Sequence, residues 1–436
     1  MPEYLIRGGL VVDESGERRA DVLVEGGRIA AVAEGIEASP GVAVVDAGGC
    51  VVAPGLVDLH AHLRQPGNEE AETLESGTRA AARGGYTAVV AMPNTEPAVD
   101  SASVVRDVIE MSAGMPCHVA VAGAITVGRK GERLSPMAEM AALGVRIFTD
   151  DGRGVQDGGL MRRALEYGGP LGVVLAEHCE DESLARGGHM HEGAWSSRLG
   201  VPGQPALAEE AMVARDIALV RLTGSRLHFL HLSTRGSVDL VRRAKAEGLP
   251  VTAEVTPHHL SLSDACLSGY DTVYKVNPPL REEADVASVR AGACDGTIDA
   301  VATDHAPHAR QRKEEPLDQA PPGMTGLETG FAAAHTALCV ESSLPLSGLL
   351  ALMSWGPARI AGLVGDRAGG GQGGPIVPGG PANLAVIDPA ERWTFEGDRS
   401  ASLSRNSPFA GRTFTGRVRH TFYRGNLVCA DGELQL

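Results

Sequence analysis

Between residues 54 and 377, short apolar runs alternate with helical patterns, and this alternation constrains the fold more than any other feature. Such a pattern is typical of parallel βα units. Eight runs favour a TIM-like (β/α)8 barrel of the α/β class, although the count alone leaves a doubly wound open sheet as the alternative. The predicted strands are 56–60, 87–92, 118–122, 145–149, 172–177, 227–231, 251–255 and 298–303, and predicted helices include 71–83, 101–112, 160–167, 206–222 and 237–247.

The two ends of the chain have a different pattern. Residues 1–53 contain short strand-like runs separated by Gly-rich or charged turns, and strand-like runs return at 383–387 and 418–428. Because chain termini often lie close together, we expect these segments to pair into one small β-domain. The Gly-rich segment 369–380 marks the boundary before it. The sequence therefore predicts a barrel domain of residues 54–377 and a β-domain of residues 1–53 and 378–436.

The composition excludes several classes of protein. The 436 residues carry a formal net charge of −16 at pH 7, which argues against a nucleic-acid binder. No apolar run reaches membrane-spanning length, and the acidic start is unlike a signal peptide. The seven cysteines are scattered without a Cys-x-x-Cys pair, which indicates neither a disulfide framework nor a cysteine zinc site. We therefore expect a cytoplasmic protein without a membrane partner.

Residues that can bind a metal follow five of the predicted strands. In a barrel the C-terminal ends of all strands meet on one face. The first strand ends in two histidines that are two residues apart, and side chains at this spacing point to the same side of a strand. Each residue alone is a weak signal, but their joint placement is not. The candidate ligands are His60, His62, Asp151, His178, His231 and Asp304.

This set fits a two-metal site with a bridging carboxylate. In one arrangement Asp304 joins the two histidines of the first strand on one metal, His178 and His231 hold the other, and Asp151 lies between them. Two divalent ions lower the pKa of a shared water, so that hydroxide is available near neutral pH. Asp304 could take the proton during attack and pass it to the leaving nitrogen. The pattern predicts metal-assisted hydrolysis of an amide-like bond.

Polar groups on loops at the same predicted face are candidates for substrate binding. Arg64 lies just past the histidine pair, where a guanidinium could hold a substrate carboxylate through two hydrogen bonds. The backbone of loop 321–326 could contact a ring. Turn chemistry is the alternative explanation for the asparagines in such loops. The other polar candidates are Asn94, Asn277 and His308, and Asp58 and Asp150 either orient the ligands or are solvated.

Five motifs resemble those of dihydroorotases in the amidohydrolase superfamily. They cover residues 54–64, 92–95, 149–152, 303–308 and 326–329, and the similarity extends from about residue 5 to the terminal strands. Within this family the chain is similar to the type I bacterial enzymes, because the bridging position holds Asp151. Hydantoinases and allantoinases usually carry a carboxylated lysine there, and no lysine stands near that strand end.

The resemblance implies a reaction and a cofactor. The reaction is the reversible ring closure of N-carbamoyl-L-aspartate to L-dihydroorotate and water, in pyrimidine biosynthesis. The cofactor is zinc, with two ions per subunit and Asp304 as general base. The resemblance assigns one zinc to His60, His62 and Asp304, and the other to Asp151, His178 and His231.

The resemblance also implies how the substrate is held. The substrate carboxylate would be bound by Arg64, Asn94 and His308, and the ring would lie near Asn277 and the backbone of Pro322 and Gly323. We expect a homodimer, and a complex with aspartate carbamoyltransferase is the candidate assembly.

Two departures and two other functions stay open. Gln65 stands where the family has Glu, and Glu177 would add a negative charge beside His178 if it pointed inward. One alternative is a hydrolase of another cyclic ureide, such as hydantoin or allantoin, although the group around Arg64 favours an acidic substrate. The other is a metal-retaining scaffold subunit of a carbamoyltransferase assembly, although all six ligand positions are filled.

Overall fold

Eight parallel strands form a closed barrel in the computed structural model, which describes residues 2–365 and 370–435. The first three strands and the last five form two hydrogen-bonded runs. Bridges from Gly123 to Phe148 and from Ala61 to His305 join these runs and close the barrel. The strands are Leu56–Ala61, Tyr86–Ala91, His118–Val121, Ile147–Phe148, Val174–Glu177, Leu227–Phe229, Val251–Val255 and Ala300–Val301. The predicted barrel is confirmed, and the open sheet is wrong.

The helices between the strands begin and end where the sequence provides capping groups. Thr73 caps the first helix through the N–H of Ser76, so this helix begins at Leu74 and not at residue 71 as predicted. Asp157 caps the helix Gly158–Leu171, and Gly172 ends it in the left-handed conformation. The longer helices are Leu74–Arg83, Ala102–Met111, Gly158–Leu171, Leu207–Thr223, Arg235–Ala246 and Glu283–Cys294.

Shorter helices fill the connections and the C-terminal part of the barrel domain. They are Met137–Ala142, Glu182–Ala185, Ala194–Leu199, Arg310–Lys313, Gly330–Ala334, Leu346–Leu350 and Gly356–Ile360. The last of these packs against the barrel interior, where Ile360 contacts the same cluster of small apolar side chains as Val57 and Ala300. No helix in the described part of the chain combines the length and the apolar composition that crossing a bilayer requires.

Strands from both ends of the chain form the small β-domain, as the sequence predicts. Leu384–Thr394 pairs with Val51–Pro54 from the N-terminal segment. This seven-stranded sheet has the order Glu433–Leu434, Asn426–Ala430, Thr413–Tyr423, Leu384–Thr394, Val51–Pro54, Leu10–Asp13 and Gly16–Arg19. A second sheet has the order Arg28–Ala33, Asp21–Glu25, Tyr4–Arg7 and Ala43–Asp46.

The core of the β-domain is apolar and continuous between its two sheets. Ile6, Val52 and Phe422 belong to one buried cluster, which joins the N-terminal and C-terminal segments. The strand predicted at 383–387 continues to Thr394 across a register shift after Asp388. Gly369, the first residue of the predicted Gly-rich boundary, lies outside the described residues. The domain limits at 53/54 and 377/378 stay a prediction.

Candidate active site

Asp151 lies at the centre of four imidazole rings at the C-terminal end of the barrel. Its Oδ2 is 3.4 Å from Nε2 of His60 and 3.5 Å from Nε2 of His62. Its Oδ1 is 3.5 Å from Nδ1 of His178 and 3.5 Å from Nε2 of His231. The two oxygens of one carboxylate therefore face two different pairs of histidines, which is the geometry of a bridging ligand.

A second carboxylate, Asp304, lies on the side of the first pair. Its Oδ1 is 3.1 Å from Nε2 of His62 and 3.5 Å from Nε2 of His60. All six candidate ligands are buried. Two triads of donor atoms lie close enough to hold a metal ion, namely His60, His62 and Asp151, and Asp151, His178 and His231. The barrel thus brings together every ligand that the sequence predicts.

The hydrogen bonds of the histidines fit a metal centre. Nδ1 of His60 is 2.9 Å from a carboxylate oxygen of Glu254, and Nδ1 of His62 is 2.9 Å from Oδ1 of Asn94. Both oxygens are acceptors, so in the neutral form of each ring Nδ1 carries the hydrogen and Nε2 keeps a lone pair. Nε2 of His60 is buried and has no hydrogen-bond partner among the described residues. A lone pair in that position is what a divalent cation requires.

The other pair of histidines gives the same indication. Nδ1 of His178 lies 2.9 Å from Nε2 of His231, and both nitrogens face Asp151. Two lone pairs at this distance repel, so a proton or a cation must lie between the rings. Imidazole and carboxylate are both ligands that zinc accepts. The residues present therefore fit a metal on this side as well.

The two carboxylates are held ionised by their surroundings. Burial alone would raise the pKa of Asp151, but the surrounding imidazoles, first of all His60, hold it well below its usual range. Burial is outweighed in the same way at Asp304, whose pKa is also lowered. Burial would lower the pKa of His178, but hydrogen bonds to Asp151 and Glu180 raise it to about 10. The two ionised carboxylates therefore attract positive charge, which a proton on His178 or a bound cation can supply.

Three residues of the site have backbone in the left-handed region. The φ angles are 62° at Arg64, 29° at His231 and 46° at Asp304. Such angles are unfavourable for residues other than glycine, by about 1–3 kcal/mol each. All three lie just beyond a strand end, where the chain turns to direct a side chain toward the site. The strain is offset by the contacts that fix these positions.

Two buried aspartates tie neighbouring strand ends together. Asp58 accepts hydrogen bonds from the N–H of Thr303, at 2.9 Å, and from the Thr303 hydroxyl, and so holds the residue before Asp304. Asp150 accepts from the N–H of Thr126 at 2.9 Å. The sequence left open whether these aspartates are solvated. Both are 2% exposed or less, and they orient the ligands that follow them.

Arg64 and His308 lie on the loops at this face. Nε of Arg64 donates to the carbonyl of Pro307 at 3.1 Å, and burial lowers the pKa of Arg64 to about 10, so the guanidinium stays charged. Nε2 of His308 donates to the carbonyl of Pro322 at 2.8 Å. Burial, followed by the charge of Arg64, lowers the pKa of His308 to about 3, so its ring is neutral. Of these two side chains, only Arg64 carries a positive charge at neutral pH.

Gly323 lies directly against His308. Its φ is 144°, and a Cβ at this position would lie 2.7 Å from Nε2 of His308, so the close approach requires glycine. The structure therefore brings His308, Pro322 and Gly323 together, as the predicted substrate site requires. Their role in binding substrate stays a prediction.

The two predicted asparagines contact ligand histidines. Oδ1 of Asn94 accepts the hydrogen bond from His62, which leaves its Nδ2 for other partners. Nδ2 of Asn277 donates to Glu180 at 2.8 Å and lies 3.3 Å from Nε2 of His178. Each asparagine thus supports a candidate metal ligand. Their predicted contacts with substrate stay a prediction.

The two departures from the family pattern do not disturb the ligands. Oε1 of Glu177 accepts from the N–H of Val155 at 2.6 Å, and the side chain faces Arg215 of the helix Leu207–Thr223. The carboxyl group is therefore directed away from the site and supports the loop after Asp151. Oε1 of Gln65 accepts from the N–H of Leu74 at 3.0 Å, at the start of the first helix.

Sequence reasoning missed several residues at this face, of which two support the ligands and the loops most directly. Glu254, in the strand Val251–Val255, is 0% exposed and contacts His60. Asn406, from the C-terminal segment, donates to the carbonyls of Ala306 and Gly323 at 3.0 Å each and accepts from the N–H of His308 at 3.1 Å. A glutamate within a buried strand was a signal for the first. Nothing local in the sequence indicates the second.

Comparison with known proteins relates this site to one family. A family model described as dihydro-orotase-like matches residues 49–237. A dihydroorotase of Pelotomaculum thermopropionicum is 47% identical over 98% of this chain and 99% of its own length. A dihydroorotase of Streptomyces coelicolor is also 47% identical, over 100% of both chains. The chain belongs to the dihydroorotase family. This family consists of hydrolases that act on cyclic amides.

Solved structures of a hydantoinase and a dihydropyrimidinase show the same architecture. L-hydantoinase (dihydropyrimidinase) from Arthrobacter aurescens superimposes with a TM-score of 0.89 at 25% identity and covers 100% of this chain and 98% of the other. Dihydropyrimidinase from Brevibacillus agri superimposes with a TM-score of 0.85 at 22% identity, over 99% and 96%. This dihydroorotase-family chain therefore shares its barrel and β-domain with enzymes whose names indicate other ring substrates.

Proposed function

We propose that this protein is a dihydroorotase, which catalyses the reversible hydrolysis of L-dihydroorotate to N-carbamoyl-L-aspartate in de novo pyrimidine biosynthesis. The observation that carries the proposal is the contact of one carboxylate, Asp151, with four histidines, beside a second carboxylate that faces one pair. This arrangement suits hydrolysis of an amide bond. The full-length identity of 47% to dihydroorotases selects the substrate.

We propose zinc as the metal, with two ions per subunit. One would be held by His60, His62 and Asp304, and the other by His178 and His231, with Asp151 shared. Bound there, divalent ions would lower the pKa of a water and polarise the amide carbonyl. His178→Ala should reduce the metal content from two ions to one, which elemental analysis measures, whereas a fully metal-free variant would show that the two sites are not separable.

Asp304 is the proposed general base and acid. Its Oδ1 faces the two histidines of the first strand, so Oδ2 is left to accept a proton from the attacking water. The same oxygen can then return that proton to the ring nitrogen that leaves, which completes hydrolysis. In the direction of ring closure the Asp304 carboxylate first takes the proton from the attacking nitrogen and then gives it to the departing hydroxide, which leaves as water.

Arg64 is the proposed anchor of the substrate carboxylate. Its guanidinium is charged and is held at the rim of the site through Nε. The two terminal nitrogens are therefore able to donate bidentate hydrogen bonds to a carboxylate. Nδ2 of Asn94 would complete this contact, together with the His308 ring once its Nε2–H turns from the Pro322 carbonyl to the substrate. Asn277 and the backbone of Pro322 and Gly323 would lie along the ring.

The two other functions are less well supported. The solved hydantoinases and dihydropyrimidinases share 22–25% identity with this chain, far below the 47% of the dihydroorotases. A scaffold subunit would have no need to keep six buried ligands. A homodimer, a complex with aspartate carbamoyltransferase and a cytoplasmic location belong to the same proposal, and the oligomeric state can be measured by light scattering with and without the transferase.

An absorbance assay on purified, zinc-supplemented protein tests the proposed reaction. It follows the loss of L-dihydroorotate at alkaline pH and its formation from N-carbamoyl-L-aspartate at acidic pH, with hydantoin and allantoin as control substrates and Asp304→Ala as the control variant. Turnover of dihydroorotate alone is the expected result. Turnover of hydantoin or allantoin instead would assign a different cyclic-ureide hydrolase, and metal-loaded protein without any turnover would favour the scaffold.

A further inference from the structure

Glu254 receives three hydrogen bonds at the base of the proposed metal centre. Nδ1 of His60 donates to its Oε1 at 2.9 Å, and the backbone N–H of His231 donates to the same oxygen at 3.3 Å. Nε2 of His228 donates to its Oε2 at 3.0 Å. The Glu254 side chain is completely buried, and an ionised carboxylate, whose two oxygens only accept, suits all three donors. Glu254 is therefore a buried negative charge that joins its own strand to the strands Leu56–Ala61 and Leu227–Phe229.

The contact with His60 determines which nitrogen of that ring is free. Because Nδ1 carries the hydrogen, Nε2 presents its lone pair toward Asp151 and Asp304. The opposite tautomer would leave a hydrogen on Nε2 and prevent metal binding. A carboxylate at the far side of the ring also makes Nε2 more basic, and so a stronger ligand.

The contact with His231 acts on the backbone. The φ of His231 is 29°, a conformation that an ordinary residue adopts only when its surroundings hold it there. The hydrogen bond from the N–H of His231 to Glu254 is one such constraint. Through this turn the His231 ring reaches Oδ1 of Asp151. One oxygen of Glu254 thus supports one ligand from each side of the centre.

His228 completes the network. Its Nδ1 lies 2.8 Å from the hydroxyl of Thr252, which donates to it, while its Nε2 donates to Glu254. The hydroxyl can also accept a hydrogen bond, so His228 can change tautomer if its partner changes. His228 is therefore a structural support for Glu254.

We propose that Glu254 is a positioning residue that prepares both sides of the centre for metal, by holding His60 with Nε2 free and by holding the strained turn at His231. This inference rests on the proposed metal centre. It differs from a general stabilising role, since a residue that only stabilises the barrel would affect unfolding without affecting the affinity for metal.

Glu254→Gln separates charge from shape. The glutamine carbonyl can still accept from His60 and His231, and its NH2 group can donate to His228 after that ring changes tautomer. The fold should therefore be retained while the negative charge is lost. Glu209→Gln is the matched control, because Glu209 is a carboxylate of the same barrel that is 2% exposed, accepts from the N–H groups of Ser233 and Thr234, and contacts none of the ligand rings.

Cobalt(II) binding to the metal-free proteins is the test, measured by visible absorption in competition with a chelator. We expect Glu254→Leu, which removes all three contacts, to raise the dissociation constant about 10- to 100-fold and to change the cobalt spectrum. Glu254→Gln should recover part of this affinity, because it keeps the acceptor for His60 and His231, and Glu209→Gln should bind like the unsubstituted protein. Unchanged affinity and spectrum in Glu254→Leu would overturn the proposal. If the unsubstituted protein bound no cobalt, the metal centre itself and the proposed function would fail together.

A measurement on the unsubstituted protein covers the case in which the variants do not fold. Nitrogen-15 NMR of histidine-labelled, metal-free protein distinguishes the two tautomers of a neutral ring. The His60 signal, assigned by its loss in His60→Asn, should show the hydrogen on Nδ1. A hydrogen on Nε2 alone would contradict the proposed role of Glu254.

Discussion

The metal ligands and the substrate loops of this site are held by different parts of the chain. Each ligand lies within or just after a barrel strand and is supported by neighbouring barrel strands, as Asp58 and Glu254 illustrate. The loop residues His308 and Gly323 are instead held by Asn406, about 100 positions away along the chain. The ligand geometry is thus a property of the barrel, whereas the substrate loops depend on the segment between the strands Leu384–Thr394 and Thr413–Tyr423.

A second contact strengthens this division. Glu72, at the start of the first barrel connection, is buried and accepts from the N–H of Leu403 at 3.0 Å and from the hydroxyl of Ser402. It also contacts Nε2 of His305, at 3.2 Å. The same C-terminal segment therefore reaches the residue next to Asp304. Changes in this segment should therefore weaken substrate binding more than they weaken metal binding.

The largest effect is expected from Asp304→Ala, on the ligand side. Loss of a general base lowers turnover by about 10²- to 10⁴-fold, and loss of a ligand adds to it. The fold should remain, because neighbouring strands hold the site independently. Steady-state kinetics and thermal unfolding measure both properties. Asp299→Ala, at the opposite end of the same strand, is the control and should keep its turnover; substantial activity in Asp304→Ala would remove this residue as the base.

Arg64→Ala should act on the substrate side. Loss of a charge-assisted contact to a carboxylate weakens binding by roughly 1.5–3 kcal/mol, about 10- to 150-fold in KM. The metal content should not change, because Arg64 makes no contact that the ligands need. Arg310→Ala is the control, since the Arg310 side chain is 86% exposed at the start of the short helix Arg310–Lys313. An unchanged KM in Arg64→Ala would reassign Arg64 to a structural role.

The ligand side is the part that could be predicted from the sequence. Period-two alternation and eight βα units place the strand ends on one face. The sequence alone therefore predicted that His178 and His231, 53 positions apart, lie close together. The predicted limits of the helices were less accurate, because capping side chains determine where a helix begins and ends. The predicted start of the first helix was wrong by three residues for this reason, since Thr73 closes a capping box with Ser76.

The supports of the site could not be predicted in the same way. Asn406 does not lie at the end of a strand. It supports the substrate loops through three hydrogen bonds, whose partners come together only in the folded chain. Glu254 lies within a strand, where an inward carboxylate becomes meaningful only when the His60 and His228 rings are known to face it. Local patterns predict which residues reach a face, but they do not predict which distant residues hold them there.

Asn406→Ala is the direct test of the substrate loops. It removes two donors to carbonyls and one acceptor, which should weaken substrate binding by about 1–2 kcal/mol, roughly 5- to 30-fold in KM. Metal affinity should stay unchanged, which chelator competition measures. Asn426→Ala, at an exposed strand position, is the control. A parallel loss of metal would show that the C-terminal segment supports the ligands as well, and would end the division between the two regions.

The smallest effect concerns the stability of the segment that carries Asn277. Asp264 lies on this segment, is 5% exposed, and its N–H donates to the carbonyl of Arg281. Burial, followed by the nearby charge of Glu282, raises the pKa of Asp264 from 3.8 to about 6. The folded protein therefore binds a proton more tightly than the unfolded chain, and stability is lost as the pH rises from about 4 through about 6.

Asp264→Asn should remove this loss. At pH 4 the variant and the unsubstituted protein should differ little in stability, because Asp264 is protonated in the folded state and about half protonated in the unfolded chain, so most of the loss occurs at higher pH. At pH 7.5 the variant should be more stable by about 1 kcal/mol, after allowance for solvent screening of a group at the surface of the barrel. Urea unfolding at the two pH values measures this difference, with Asp239→Asn, whose side chain is 56% exposed, as the control. A gain that is equal at both pH values would mean that packing, and not charge, limits the stability of this segment.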